Sequence, residues 1–311
     1  MAEGKWIEGL TPDTPAVDAA RAVLAARLGS VRHYLPLAAG QPGAVENVHQ
    51  LRVATRRAGA ALRLFRPLVP AKSYKQVRGT LRAIRAAAGP ARDWDVFAKS
   101  LETSPGLRKP GTHEAREFLT TYSLGWRAAV QRELDAVAVA RIERLETGSD
   151  NLLGALKPGD DEPFATVAEE ALADLMARLA ARLDSDPSTA EELHALRISG
   201  KQLRYAMEVF ADCYAAPFRE VLYPAVEALQ EHLGDVQDAE VAAARLDSVL
   251  ADLLRFQPAS AKLVRPAVAK MKTEVAARGT AGKRGFRTWV KLWKRLLVKH
   301  PHTELALPAS P

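Results

Sequence analysis

The sequence predicts an all-α protein made of two related helical halves, and three observations carry that prediction. Ala, Leu, Arg and Glu are abundant among the 311 residues while aromatics make up only 6%, a composition of strong helix formers. No segment alternates apolar and polar β-branched residues as a half-buried strand does. The chain also repeats itself. Residues 48–65 read VHQLRVATRRAGAALRLF and residues 193–210 read LHALRISGKQLRYAMEVF. An offset of 145 pairs His49 with His194, Leu51 with Leu196, Arg52 with Arg197, Arg56 with Lys201 and Phe65 with Phe210. The same offset lays GPARDWDV (89–96) over GDVQDAEV (234–241), matching Gly89 with Gly234 and Asp93 with Asp238. Two blocks at one offset indicate a duplicated helical unit, with the copies related by a pseudo-twofold axis.

Apolar periodicity places helices of the first half at about 14–38, 44–66, 71–88, 92–101 and 112–146. Pro36, Pro42–Gly43, Pro67 with Pro70, and Pro105–Gly106 punctuate them. The second half reads as helices at about 164–184, 188–213, 216–233, 236–255, 259–278 and 284–299. Here the breaks are Asp186–Pro187, Pro217, Pro258 and Gly279 with Gly282, while Pro224 and Pro266 suit helix starts. The turn-rich TGSDNLLGALKPGDDEP, residues 147–163, reads as the linker between an 8–150 half and a 160–300 half. Trp289 and Trp293, four apart, read as core residues.

The net charge of +7 hides a blocky distribution. Residues 47–92 hold 11 basic side chains and no acid; residues 156–261 hold 9 basic and 20 acidic; residues 262–300 hold 12 basic and one acidic. Such blocks point to an anionic partner. The single cysteine, Cys213, excludes an intramolecular disulfide framework and fits a small core residue. No basic leader precedes an apolar run, and no apolar stretch approaches the ~18 residues of a membrane span. A soluble, cytoplasmic protein is expected.

At about 100° per residue, with His49 at zero, Arg52 lies near −60°, Arg56 near −20° and Arg63 near −40°, opposite Leu51, Ala58, Leu62 and Phe65. The second copy repeats the division: His194, Arg197, Lys201, Arg204 and Tyr205 on one side, Leu196, Leu203, Met207 and Phe210 on the other. Lys75, Arg78, Arg82 and Arg85 share a face of the next helix, and Lys283, Arg287, Lys291 and Lys294 share one near the C-terminus. Like charges at these spacings destabilise a helix by about 0.2–0.5 kcal/mol per pair, which a bound anion would offset. Arg offers a planar fork of donors, Lys a mobile charge, and His a further donor once phosphate raises its pKa. Rows on several helices can line a basic channel that follows a long polyanion. His49 and His194 fit two roles, ligand contact or helix packing. Asp93 and Asp238 fit helix N-caps or partners of the stripe arginines.

These residues resemble the CHAD family, the conserved-histidine α-helical domain, over roughly residues 8–300. The resemblance implies two four-helix-bundle-like halves around a basic central channel. It also implies non-enzymatic binding of inorganic polyphosphate and, in some members, localisation to polyphosphate granules, where a partner protein would be met. Carried over by motif, the ligand residues are His49, Arg52, Arg56 and Arg57 with His194, Arg197, Lys201, Arg204 and Tyr205. The stripes add Arg63, Lys75, Arg78, Arg82, Arg85, Arg287 and Lys291. No cofactor, metal or catalytic residue is expected.

Two other readings remain. A nucleic-acid binder has the right charge, but only Tyr205 offers an aromatic on a stripe for base stacking. That leaves room for weak, non-specific nucleic-acid binding. A phosphohydrolase using His49 or His194 would need a leaving-group acid and usually a metal. The sequence has neither HExxH nor a P-loop, although the fold could gather Asp93, Asp95, Asp238 and Glu240.

Overall fold

The computed structural model describes residues 4–40, 45–157 and 162–300. Eight α-helices, α1 (Ala16–Gly40), α2 (Val45–Leu64), α3 (Ala71–Thr103), α4 (His113–Gly154), α5 (Phe164–Asp184), α6 (Ala190–Phe210), α7 (Tyr223–Phe256) and α8 (Pro258–Lys299), account for nearly all of them. The described residues contain no β-strand.

Helix lengths repeat in order. α2 and α6 have 20 and 21 residues, α3 and α7 have 33 and 34, and α4 and α8 have 42 each. Each half is therefore two shorter helices followed by a hairpin of two long ones, α3–α4 or α7–α8. At 1.5 Å per residue the longest run about 63 Å. Equivalent helices meet across the halves: α1 packs on α5, α2 on α6, and α4 on α8. That self-pairing is what a pseudo-twofold relation produces, and the chain at the starts of α1 and α5 follows it. There Ala16 N donates to Glu162 O at 2.9 Å and Phe164 N to Thr14 O at 2.8 Å.

Fewer helices form than the sequence punctuation indicates. α1 continues through Pro36, α3 through Gly89–Pro90, α7 through Gly234, and α8 through both Pro266 and Gly279–Gly282. α4 runs to Gly154, so the connection between halves is shorter than residues 147–163. Gly89, Gly279 and Gly282 serve close approach, not chain breaking. A Cβ at Gly282 would lie 2.7 Å from His232 O and 2.9 Å from Asp235 Cβ on α7. Gly282→Val must push the α7–α8 hairpin apart, so a loss of about 1–3 kcal/mol in unfolding free energy is expected. Thermal and urea melts check it; an unchanged midpoint would contradict this packing.

Two apolar clusters result. The larger joins both halves through α1, α2, α5 and α6, with Phe65, Phe164 and Phe210 at its centre. Trp289 and Trp293 belong to it, and Trp289 Nε1 donates to Ala225 O at 2.6 Å. The smaller unites the far ends of the two hairpins through Trp94, Phe97, Leu119, Leu246, Val264 and Met271. The halves therefore touch at two places, the α2–α6 base and the hairpin tips. Among the described residues no helix is long and apolar enough to cross a membrane.

Candidate functional site

The repeat seen in sequence is also a repeat of contacts. In the second half His194 Nδ1 lies 2.5 Å from Gln237 Oε1 on α7. With that oxygen facing the ring, Nδ1 carries the hydrogen and Nε2 is left available. Arg197 Nη2 stands 3.9 Å from Asp238. In the first half the residues 145 positions earlier, Arg92 and Asp93 on α3, act on His49 and Arg52. Burial lowers the His49 pKa, and Arg92 lowers it further. Gly89 makes the first-half approach feasible: Arg52 Nη1 lies 3.1 Å from where a Cβ would be.

Asp93 and Asp238 are thus mid-helix partners of the stripe arginines. They are not N-caps, because α3 and α7 run unbroken past both. Asp95 is buried in an ion pair with Arg127 Nε at 2.7 Å, and Asp93 lies 3.8 Å from Arg245.

Cations from both halves converge. Lys201 on α6 has its pKa lowered to about 7, first by burial and then by Arg197, Arg56 and Arg85, against a small opposing effect of Asp238. Arg52 is lowered by burial and by Arg56, Arg85 and Arg92, with Asp93 opposing. Arg197 is lowered by burial and by Arg56, with Asp238 opposing. Arg63 is lowered by burial and by Arg78 and Arg85. Cations on α2, α3 and α6 therefore lie close enough to repel one another, a cluster with too few carboxylates to neutralise it and called the cleft below. Arg56 Nε and Arg197 Nε are buried there without a hydrogen-bond partner. Buried donors normally find partners.

Other expected site residues lie elsewhere. Arg57 is a correction: it turns away from the cleft, and its Nε donates to Glu208 Oε2 at 2.7 Å in a buried pair. Tyr223 Oη donates to the other Glu208 oxygen at 2.9 Å. Arg204 has an anion of its own, Glu227 at 3.6 Å. Its pKa is raised, because Tyr205, Glu208 and Tyr223 outweigh burial. Lys75 and Arg82 are exposed on α3, whereas Arg78 and Arg85, also exposed, both act on Arg63 of the cluster. Arg78 reaches toward Arg63 and the Tyr74 ring. Lys75 and Arg82 have no ion pair among the described residues.

Arg287 and Lys291 lie apart from the α2–α6 cations. They line a separate cleft of about 590 Å³ with Leu183, Leu193, Phe286 and Val290. No interaction among the described residues joins them to the α2–α6 cations. Arg92 and Gln237 were missed by the stripe argument, although both lie inside the second repeated block at the common offset.

Cys213 is buried, and desolvation with Asp212 pushes its pKa up to about 12, which makes it an inert thiol. Among the described residues no three His, Cys, Asp or Glu side chains converge as a metal site would require.

An all-helical duplication that brings Arg and Lys from both halves into one cluster defines a class of protein. The chain belongs to the CHAD domain family, whose signature matches residues 22–247. Its fold is similar to the crystal structure of the CHAD domain from the plant Ricinus communis. That match has a TM-score of 0.72 and 23% identity, and it covers 92% of this chain and 95% of that one. PptA from Streptomyces chartreusis is also similar, with a TM-score of 0.60 and 19% identity over 89% of this chain and 100% of that one. Comparison with curated proteins finds no match.

Proposed function

We propose that the α2–α3–α6 cleft binds inorganic polyphosphate without cleaving it, in the cytoplasm and at polyphosphate granules. The observation that carries this reading is the mutual repulsion of Arg52, Arg56, Arg85, Arg197 and Lys201, contributed by both halves. A linear polyanion relieves all of it at once. Each phosphate accepts charge-assisted hydrogen bonds from guanidinium, ammonium or imidazolium groups, and released counterions make the affinity fall with salt. Single-stranded nucleic acid offers charge too, but Tyr205, the aromatic on the stripe, is buried and leaves its ring unavailable for stacking on a base.

Proton uptake should accompany binding. Free Lys201, with a pKa of about 7, is partly neutral at pH 7.5, and a phosphate beside it restores the charge. Affinity is therefore greatest below pH 7 and declines as pH rises above it. Lys201→Met should flatten that decline and weaken binding at pH 6. It should also raise the melting temperature of the unliganded protein at pH 6–7. A folded pKa below the unfolded value of about 10.5 means that charged Lys201 opposes folding, an effect that fades only as pH rises from 7 toward 10.5. Calorimetry in buffers of different ionisation enthalpy counts the protons; zero uptake at pH 7.5 would contradict the cluster. Incubation with polyphosphate and Mg²⁺ should release no orthophosphate, and release would replace the binding reading with hydrolysis.

A further inference from the structure

A cavity opens beside the cationic cluster, with Arg63 in its lining. It has a volume of about 510 Å³ and lies between the C-terminal turns of α2 and one face of α5. That is within the size range of small-molecule sites. Arg63 belongs to both: it lines the cavity, and it sits among Arg78, Arg85 and Tyr205 of the cleft. Along α2, Arg63 is two turns, about 10 Å, from Arg56.

The cavity changes character away from Arg63. Its walls include Leu64, Leu68, Val167, Ala171 and Leu175, which are apolar. Its far rim carries Glu162, Glu170 and Asp174. Asp174 is engaged by Arg178 at 2.8 Å; Glu170 has no ion pair among the described residues. Beyond Arg63 the lining holds two guanidinium groups, Arg66 and Arg178, against these three carboxylates, so a continuing phosphate run gains no net attraction here. The lining instead matches a molecule with an anionic tail at Arg63, a flat apolar body, and N–H or O–H donors at its other end.

We propose that this cavity holds the nucleoside end of a nucleoside 5′-polyphosphate whose phosphate tail lies in the cleft. The apolar walls cover the base, Glu170 accepts hydrogen bonds from its amino group or from the ribose hydroxyls, and Arg63 binds the first phosphates. This inference rests on the polyphosphate reading of the cleft and adds a chemical class of ligand to it.

The test compares ATP with inorganic tripolyphosphate, in EDTA and at equal ionic strength. Charge alone favours tripolyphosphate, which has two free ends. The cavity predicts the reverse, with ATP bound about tenfold more tightly, a difference of ~1.4 kcal/mol. Ala171→Trp fills the cavity and should remove the ATP advantage while leaving the affinity for long polyphosphate within about twofold. As a readout independent of that variant's folding, photolabelling of the wild-type protein with azido-ATP should mark α5 peptides within 164–178. Equal or weaker binding of ATP, or labelling elsewhere, would overturn the proposal. Loss of long-polyphosphate binding in the wild-type protein would instead overturn the reading of the cleft.

Discussion

Reversing two charges, Arg52→Glu with Arg197→Glu, is expected to abolish measurable binding of long-chain polyphosphate, a loss of about 100–1,000-fold. The two positions are equivalent in the repeat, and each faces the carboxylate that partly restrains it, Asp93 or Asp238. Each reversal removes a cation and adds an anion. Together they shift the local charge by −4 beside a ligand carrying negative charge on every unit. Even in water-like surroundings a unit charge at about 4 Å is worth ~1 kcal/mol, so several kcal/mol of attraction disappear. The fold should survive, because both side chains leave a site where cations repel, and the far-UV helical signal should persist. Arg287→Glu with Lys291→Glu makes the same net-charge change in the separate α8 cleft. It should alter affinity by no more than about threefold, the screened long-range effect. Equal losses in the two double variants would show that net charge, not the α2–α6 cleft, governs binding.

Glu208→Ala is expected to be the most destabilising single substitution at the junction of the halves, by about 3–5 kcal/mol. Glu208 is 1% exposed and answers Arg57 on α2. It also supports Arg27, whose pKa is lowered to about 10 by burial and by Arg57. Removing the carboxylate leaves two buried guanidinium groups facing each other and takes the nearer of two acceptors from Tyr223 Oη, leaving Glu227 at 3.1 Å. Replacing both Arg57 and Glu208 with methionine should cost less than Glu208→Ala, because no charge is then left uncompensated. Urea unfolding of the three proteins decides this. A loss below about 1 kcal/mol for Glu208→Ala would mean that the pair is solvated and the halves are joined by the phenylalanine cluster alone.

The duplicated unit and the faces of α2 and α6 were legible because helical phase is a local property. Leu51, Phe65, Leu196 and Phe210 are all buried, and the His, Arg and Lys stripe lies opposite them. Phase also argues against Arg57, which falls near +80° on that wheel; only the family motif assigned it to the ligand. The α8 row shows the limit of phase. It establishes that Lys283, Arg287 and Lys291 share a face, but which element the face meets depends on how two 42-residue helices cross. Gly89 and Gly282 show a further limit. Read locally, a glycine weakens a helix; their use emerges only when the Arg52 guanidinium and the α7 backbone arrive from elsewhere. Likewise, the depressed pKa of Lys201 comes from burial and Arg197, to which the other half adds Arg56 and Arg85.

Calorimetric titration with long-chain polyphosphate, beside equal phosphate as short duplex DNA and at two salt concentrations, tests the central claim most directly. The cleft predicts tight polyphosphate binding that weakens with salt, and much weaker binding of DNA. Equal or tighter binding of DNA would show that the stripes serve a nucleic acid, leaving the CHAD fold in place and its proposed ligand wrong.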